Sequence, residues 1–93
     1  MTKNQQDANI ALEITLLRET LDRIEESQRD GDALRTMELA EAIEERGEAI
    51  MWSAVANARQ EPNKTWAVIG GRLRITRQAA QQRFADIPGA PSS

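Results

Sequence analysis

The 93-residue sequence has no cysteine and no histidine. Disulfides are excluded, as are Cys/His metal sites and catalytic triads that need an imidazole. Tyrosine is also missing, and two tryptophans and one phenylalanine are the only aromatics, so aliphatic side chains must fill most of any core. No apolar run approaches the roughly 20 residues of a membrane span. The first ten residues, MTKNQQDANI, lack a signal-peptide core, so a cytoplasmic chain is expected. No alternating Val/Ile/Thr run reads as a strand, which leaves an all-α chain. Gly70-Gly71 falls inside a predicted helix and lacks the GxxxxGK[ST] context of a phosphate loop. The acid pairs Glu25-Glu26 and Glu44-Glu45 are adjacent on helices, so their side chains diverge and read as solvated surface. The inventory points to neither an enzyme, a cofactor nor a metal.

Charge is present in quantity, but it is segregated. Residues 1–58 hold six Lys and Arg against thirteen Asp and Glu, a balance of −7. Residues 59–93 hold six cations against Glu61 and Asp86, a balance of +4. An acidic body with a basic C-terminal part suits a protein that meets a polyanion through one end alone.

The acidic part reads as a helical hairpin. Residues 1–7 are polar and expected to fray. A first helix is expected from Ala8 to Gln28, where Ile10, Ile14, Leu17, Leu21 and Ile24 recur at alternating spacings of four and three. That is a coiled-coil type of seam. Leu12 and Leu16 lie on the opposite side, so the first half of this helix has apolar groups for two neighbours. Gly31 and Asp32 stop it and cap the next. A long helix should follow from Ala33 to about Arg59. Ala33, Met37, Ala40, Gly47, Met51, Ala54 and Ala58 form its expected inner stripe, widened by Leu39, Ile43 and Ile50. Gly47 is its weak point, where a kink or break is possible. Trp52 lies off this stripe and reads as a core residue. The hairpin carries more apolar surface than two helices hide between them, and a four-helix assembly from two chains would cover it.

Pro62 ends the long helix. The stretch Thr65–Phe84, TWAVIGGRLRITRQAAQQRF, then reads as two short helices with a tight turn. Thr65 and Thr76 are hydroxyl caps. Trp66 is expected to be half buried, and Ile69, Leu73, Ile75, Ala80 and Phe84 to point inward. Gly70 is small where the two helices cross. On the second helix Arg77, Gln78, Gln81 and Gln82 form an outward arc without an acid. Arg suits guanine and Gln suits adenine. Arg83 sits near the buried edge and could instead pair with an acid of the long helix. After Phe84, Pro88 stops the helix, and residues 89–93 are expected to be a disordered tail.

The pattern of Trp66, Ile69-Gly70, Leu73, Ile75-Thr76-Arg77-Gln78-Ala79-Ala80 and Arg83-Phe84 resembles the helix-turn-helix family, and most of all small bacterial and phage regulators of the actinobacterial type. The resemblance covers about twenty residues closely. The sequence departs from it at Arg74, where the family usually has a left-handed Gly. The resemblance implies a C-terminal DNA-binding domain over residues 49–88, preceded by a dimerising hairpin over residues 1–48. Helix 77–86 would enter the major groove of double-stranded DNA. Arg77, Gln78, Gln81 and Gln82 would read bases; Lys64, Thr65, Arg72, Arg74 and Thr76 would hold phosphate. Ile10, Leu12, Ile14, Leu16, Leu17, Leu21 and Ile24 would form the homodimer contact. The leading expectation is a sequence-specific transcriptional regulator, a repressor rather than an activator. One alternative is a DNA-binding adaptor for plasmid partition or phage recombination, whose acidic hairpin recruits a second protein. The other is a helical interaction factor, antitoxin-like or polymerase-binding.

Overall fold

With neither glycine nor proline in its first thirty residues, the chain can start as one unbroken helix, and it does. A computed structural model describes residues 3–85, which form α1 (Lys3–Arg29), α2 (Ala33–Ala58), α3 (Trp66–Leu73) and α4 (Arg77–Arg83), with no strand among the described residues. No helix there is long and apolar enough to cross a membrane. The expected tail, residues 89–93, lies outside the described residues, as do Asp86 and Pro88.

α1 and α2 pack against each other as an antiparallel hairpin. The helix starts at Lys3 and not at Ala8, because its first turns are held by α2. Gln6 is buried, and Asp7 accepts a hydrogen bond from Asn57 Nδ2 at 3.0 Å. At the other end Gly31 takes a left-handed φ of 70°, and the Asp32 amide returns to the Ser27 carbonyl at 2.9 Å. The Asp32 carboxylate then accepts from the Arg35 amide at 3.0 Å, capping α2.

The line of α1 set deepest against α2 is polar. It consists of Gln6, Glu13, Thr20 and Ser27, one every seventh residue, of which Gln6, Thr20 and Ser27 are buried. The hydroxyls satisfy themselves locally: Thr20 donates to the Leu16 carbonyl at 2.8 Å and Ser27 to that of Ile24 at 3.0 Å. Across the interface Ser27 meets the Thr36 hydroxyl at 2.7 Å, and Arg46 donates to Glu13 at 3.1 Å. Small and locally bonded side chains let the helices approach. Ile10, Leu17 and Ile24 flank this line half-buried, while Ile14 and Leu21 of the same seam are exposed.

The stripe expected to line the inside of α2 is displaced. Leu39 is buried there, with Thr36, Ile43, Arg46 and Ile50 half-buried and Ser53 buried. Ala33, Met37, Ala40, Gly47 and Ala54 are exposed instead, and Met51 and Ala58 are half-buried. What served as the flank is the true contact, and the small-residue stripe faces away from α1. α2 also runs through Gly47 without a break.

α2 ends at Ala58, and Arg59 caps it with its amide on the Val55 carbonyl at 2.9 Å. Pro62 lies in the following loop and is not the stop itself. The last turns of α2 then join α3 and α4 in one core of Val55, Ala56, Trp66, Ile69, Ala80 and Phe84. Trp66 is fully buried here, not half-buried, because its ring stacks on Phe84 at 6.4 Å and the Arg59 guanidinium covers it at 4.5 Å.

The two adjacent glycines of α3 make a sharp contrast. A Cβ on Gly70 would lie 2.9 Å from the Ile75 carbonyl oxygen and 3.0 Å from that of Thr76, whereas one on Gly71 meets nothing within 4 Å. Gly70→Ala is expected to cost about 1–3 kcal/mol by overpacking. Gly71→Ala should stabilise by up to about 1 kcal/mol. Thermal unfolding of the two variants checks both signs. Gln6 yields a second prediction. Neither atom of its buried amide has a hydrogen-bond partner. Gln6→Met should therefore raise stability, by about 1–2 kcal/mol; urea unfolding measures it.

Candidate nucleic-acid interface

The candidate interface is assembled from two helix starts and the turn between them. Thr65 has extended backbone and its Oγ1 accepts from the Val68 amide at 3.3 Å, opening α3. Thr76 repeats the arrangement for α4, accepting from the Ala79 amide at 3.0 Å. Each hydroxyl keeps its own O–H to donate, and both residues are exposed.

Between these caps Arg74 holds φ 60° and ψ 38°, the left-handed conformation, and is the one non-glycine residue with positive φ among the described residues. The turn closes by the Ile75 amide on the Gly70 carbonyl at 2.9 Å and the Arg74 amide on that of Gly71 at 3.3 Å. The left-handed position belongs where the sequence has Arg for the expected Gly. Its side chain is exposed beside the start of α4.

α4 is shorter than the expected helix 77–86. Its last helical residue is Arg83, Phe84 caps it, and Ala85 is in a turn. Phe84 is fully buried between the two tryptophans, so it anchors the end and the chain turns there. On the outer face Arg77, Gln78 and Gln82 are exposed and Gln81 is half-buried. The three glutamines line one shallow depression with Ala85. Gln78, Gln81 and Gln82 thus share one depression with Arg77 outside it, and no carboxylate among the described residues lines it.

The expected phosphate set divides in two. Thr65, Arg74 and Thr76 are the caps and the turn. Lys64 and Arg72 instead line a separate groove of about 330 Å³ between α2 and α3, with Ala54, Ala58, Val68 and Leu73. Arg83 does not point to the glutamines: it pairs with Glu48 of α2 at 2.8 Å. Glu48 also accepts from Trp52 Nε1 at 3.0 Å, and Trp52 meets Phe84 edge-on at 5.7 Å. The far end of α4 is therefore tied to α2 by one acid and one ring. Glu48 was not legible as a site residue, although its spacing of four from Trp52 is the signal that would have shown it. Among the described residues no cluster of three acids is placed to hold a metal.

No protein-family profile matches the chain, and no curated protein or solved structure is significantly similar to it.

A left-handed residue with a Cβ costs about 1–2 kcal/mol. Arg74→Gly should leave thermal stability level or raise it, part of the gain being offset by the larger entropy of the unfolded glycine. A large loss of stability would contradict the assignment of this turn.

Proposed function

We propose that the chain is a dimeric, sequence-specific DNA-binding regulator, with α3 and α4 as its helix-turn-helix and α4 as the helix that enters the major groove. One observation carries this reading: Gln78, Gln81 and Gln82 converge on the outer face of a helix whose opposite face is anchored by Ala80 and Phe84. Amides fixed on a rigid helix can offer paired donors and acceptors to base edges. An amphipathic helix held only by packing has no need of three converging amides.

The electrostatics support the same role. The C-terminal part carries +4 against −7 in the rest. Arg74, Arg77 and the Thr76 cap stand at the start of α4 and Thr65 at the start of α3, where phosphate oxygens would be met by cations and hydroxyl donors. Arg72, at the rim of the neighbouring groove, extends the cationic edge. Repression is the simplest regulatory outcome, because a small protein on an operator blocks access without further contacts. The hairpin joins two copies, with Ile10, Ile14, Leu17 and Leu21 of α1 in the contact.

Base and phosphate contacts give different responses to mutation. Gln78→Ala should cost about 1–3 kcal/mol on the preferred duplex and little on a scrambled one. Arg72→Ala should weaken both alike, since phosphate is the same in each. Titrations at one fixed salt concentration separate them. Equal losses on both duplexes for Gln78→Ala would mean that α4 does not read sequence.

A further inference from the structure

The apolar surface the hairpin leaves open has a self-complementary register. On the side of α2 turned from α1, Ala33, Met37, Ala40, Glu44, Gly47 and Ala54 are exposed, and Met51 and Ala58, half-buried against the C-terminal core, complete an unbroken alternation of four and three. Met37 is 65% exposed. The set is symmetric about a midpoint between Glu45 and Arg46. Reversed upon itself it pairs Met37 with Ala54, Ala40 with Met51 and Glu44 with Gly47. Each bulky side chain meets a small one, as an antiparallel helix pair requires.

α1 presents its own seam on the same side. Two surface depressions are lined from both helices of the hairpin, one by Arg23, Ser27 and Arg35 among others, the other by Glu13, Ala42 and Ala49. At 100° per residue, Ile14 and Leu21 on α1 and Ala40 and Gly47 on α2 occupy the opposite flank of each helix. They therefore share the other side of the hairpin. Ile14 is 39% and Leu21 51% exposed. The midpoint of Ile10, Ile14, Leu17 and Leu21 falls between Thr15 and Leu16. Arg46, beside the α2 midpoint, bonds Glu13 of α1 at 3.1 Å. The two seams are thus centred at nearly one level, and one two-fold axis can serve both.

From this we infer that a second copy of the chain covers this side, with α2 antiparallel to α2 and α1 antiparallel to α1. The groove between α2 and α3 completes the fit. Ala54, Ala58, Val68 and Leu73 line it, and Val68 is 43% exposed. Pairing Ala54 with the partner's Met37 brings that exposed thioether to the mouth of the groove. Lys64 at its rim then faces the partner's turn, which carries Asp30 and Asp32. Because the axis lies perpendicular to α2 and along the line from α1 to α2, both α3–α4 units face the same way. At about 1.5 Å per residue, Val55 lies about 15 Å from the midpoint, so the two units stand about 30 Å apart. That is close to the about 34 Å between successive major grooves. The use of this spacing rests on the DNA-binding reading; the interface itself does not.

The absence of native cysteine makes the register directly testable. Met37→Cys and Ala54→Cys chains are mixed and oxidised. A mixed disulfide is expected, and neither variant alone should cross-link, since like positions lie about 25 Å apart in this register. Self-cross-linking of either variant, or no mixed disulfide, overturns the inference. Gly47→Glu supplies the second arm, because in this register it sets a carboxylate against the partner's Glu44. A Cβ at Gly47 meets nothing within 4 Å in the single chain, so helix content should be unchanged while sedimentation shows loss of the dimer. A dimer that survives this substitution overturns the inference as well. Neither measurement involves DNA, so failure of the DNA-binding reading would leave both outcomes unaffected.

Discussion

Phe84 between two tryptophans is the contact on which the C-terminal half depends. The ring stacks on Trp66 at 6.4 Å and meets Trp52 edge-on at 5.7 Å. These are all the aromatic residues in the chain, and each comes from a different segment: Trp52 from α2, Trp66 from α3 and Phe84 from the end of α4. Such rings bury large apolar areas and gain further from their relative geometry. In a unit with so few large side chains, this cluster joins three helices at once. Glu48 reinforces it by holding both Trp52 and Arg83. That ion pair is half exposed and worth under about 1 kcal/mol, so its effect is on orientation more than on stability.

The N-terminal half obeys a different constraint. On the α1 side its internal contact is built on Gln6, Glu13, Thr20 and Ser27, which bury little apolar area, set against Leu39, Ile43 and Ile50 of α2. Glu13, Thr20 and Ser27, satisfied within or across the pair, fix which helix faces meet, while the Gln6 amide stays without a partner at a cost in stability. On α1 the larger apolar side chains lie on the flanks of this line, with Ile14 and Leu21 exposed.

Much of this was legible in the sequence, and the failures have a common cause. The caps Asp32, Thr65 and Thr76, the left-handed Gly31, the close approach at Gly70 and the turn at Arg74 all follow from local chemistry that acts within four residues. They stand where the sequence put them. On α2 methionine, alanine and glycine carry the longer regular period, yet Leu39, Ile43 and Ile50 make the contact. Hydropathy patterns locate an apolar face but do not say which neighbour covers it. The early start of α1 has a similar cause: a polar sequence at Lys3–Asp7 is helical because Gln6 and Asp7 meet α2, fifty residues away in the case of Asp7 and Asn57. On α4 the outward glutamines follow from helical spacing, but the grouping of Lys64 with Arg72 in a separate groove depends on how α3 crosses α2, which no local signal encodes.

The central claim is that the outer face of α4 reads base sequence. Selection of bound duplexes from a random pool by the intact protein tests it most directly. The account predicts enrichment of a short motif, repeated with two-fold symmetry at a centre-to-centre spacing of about one helical turn. Recovery of duplexes with no common sequence would contradict it.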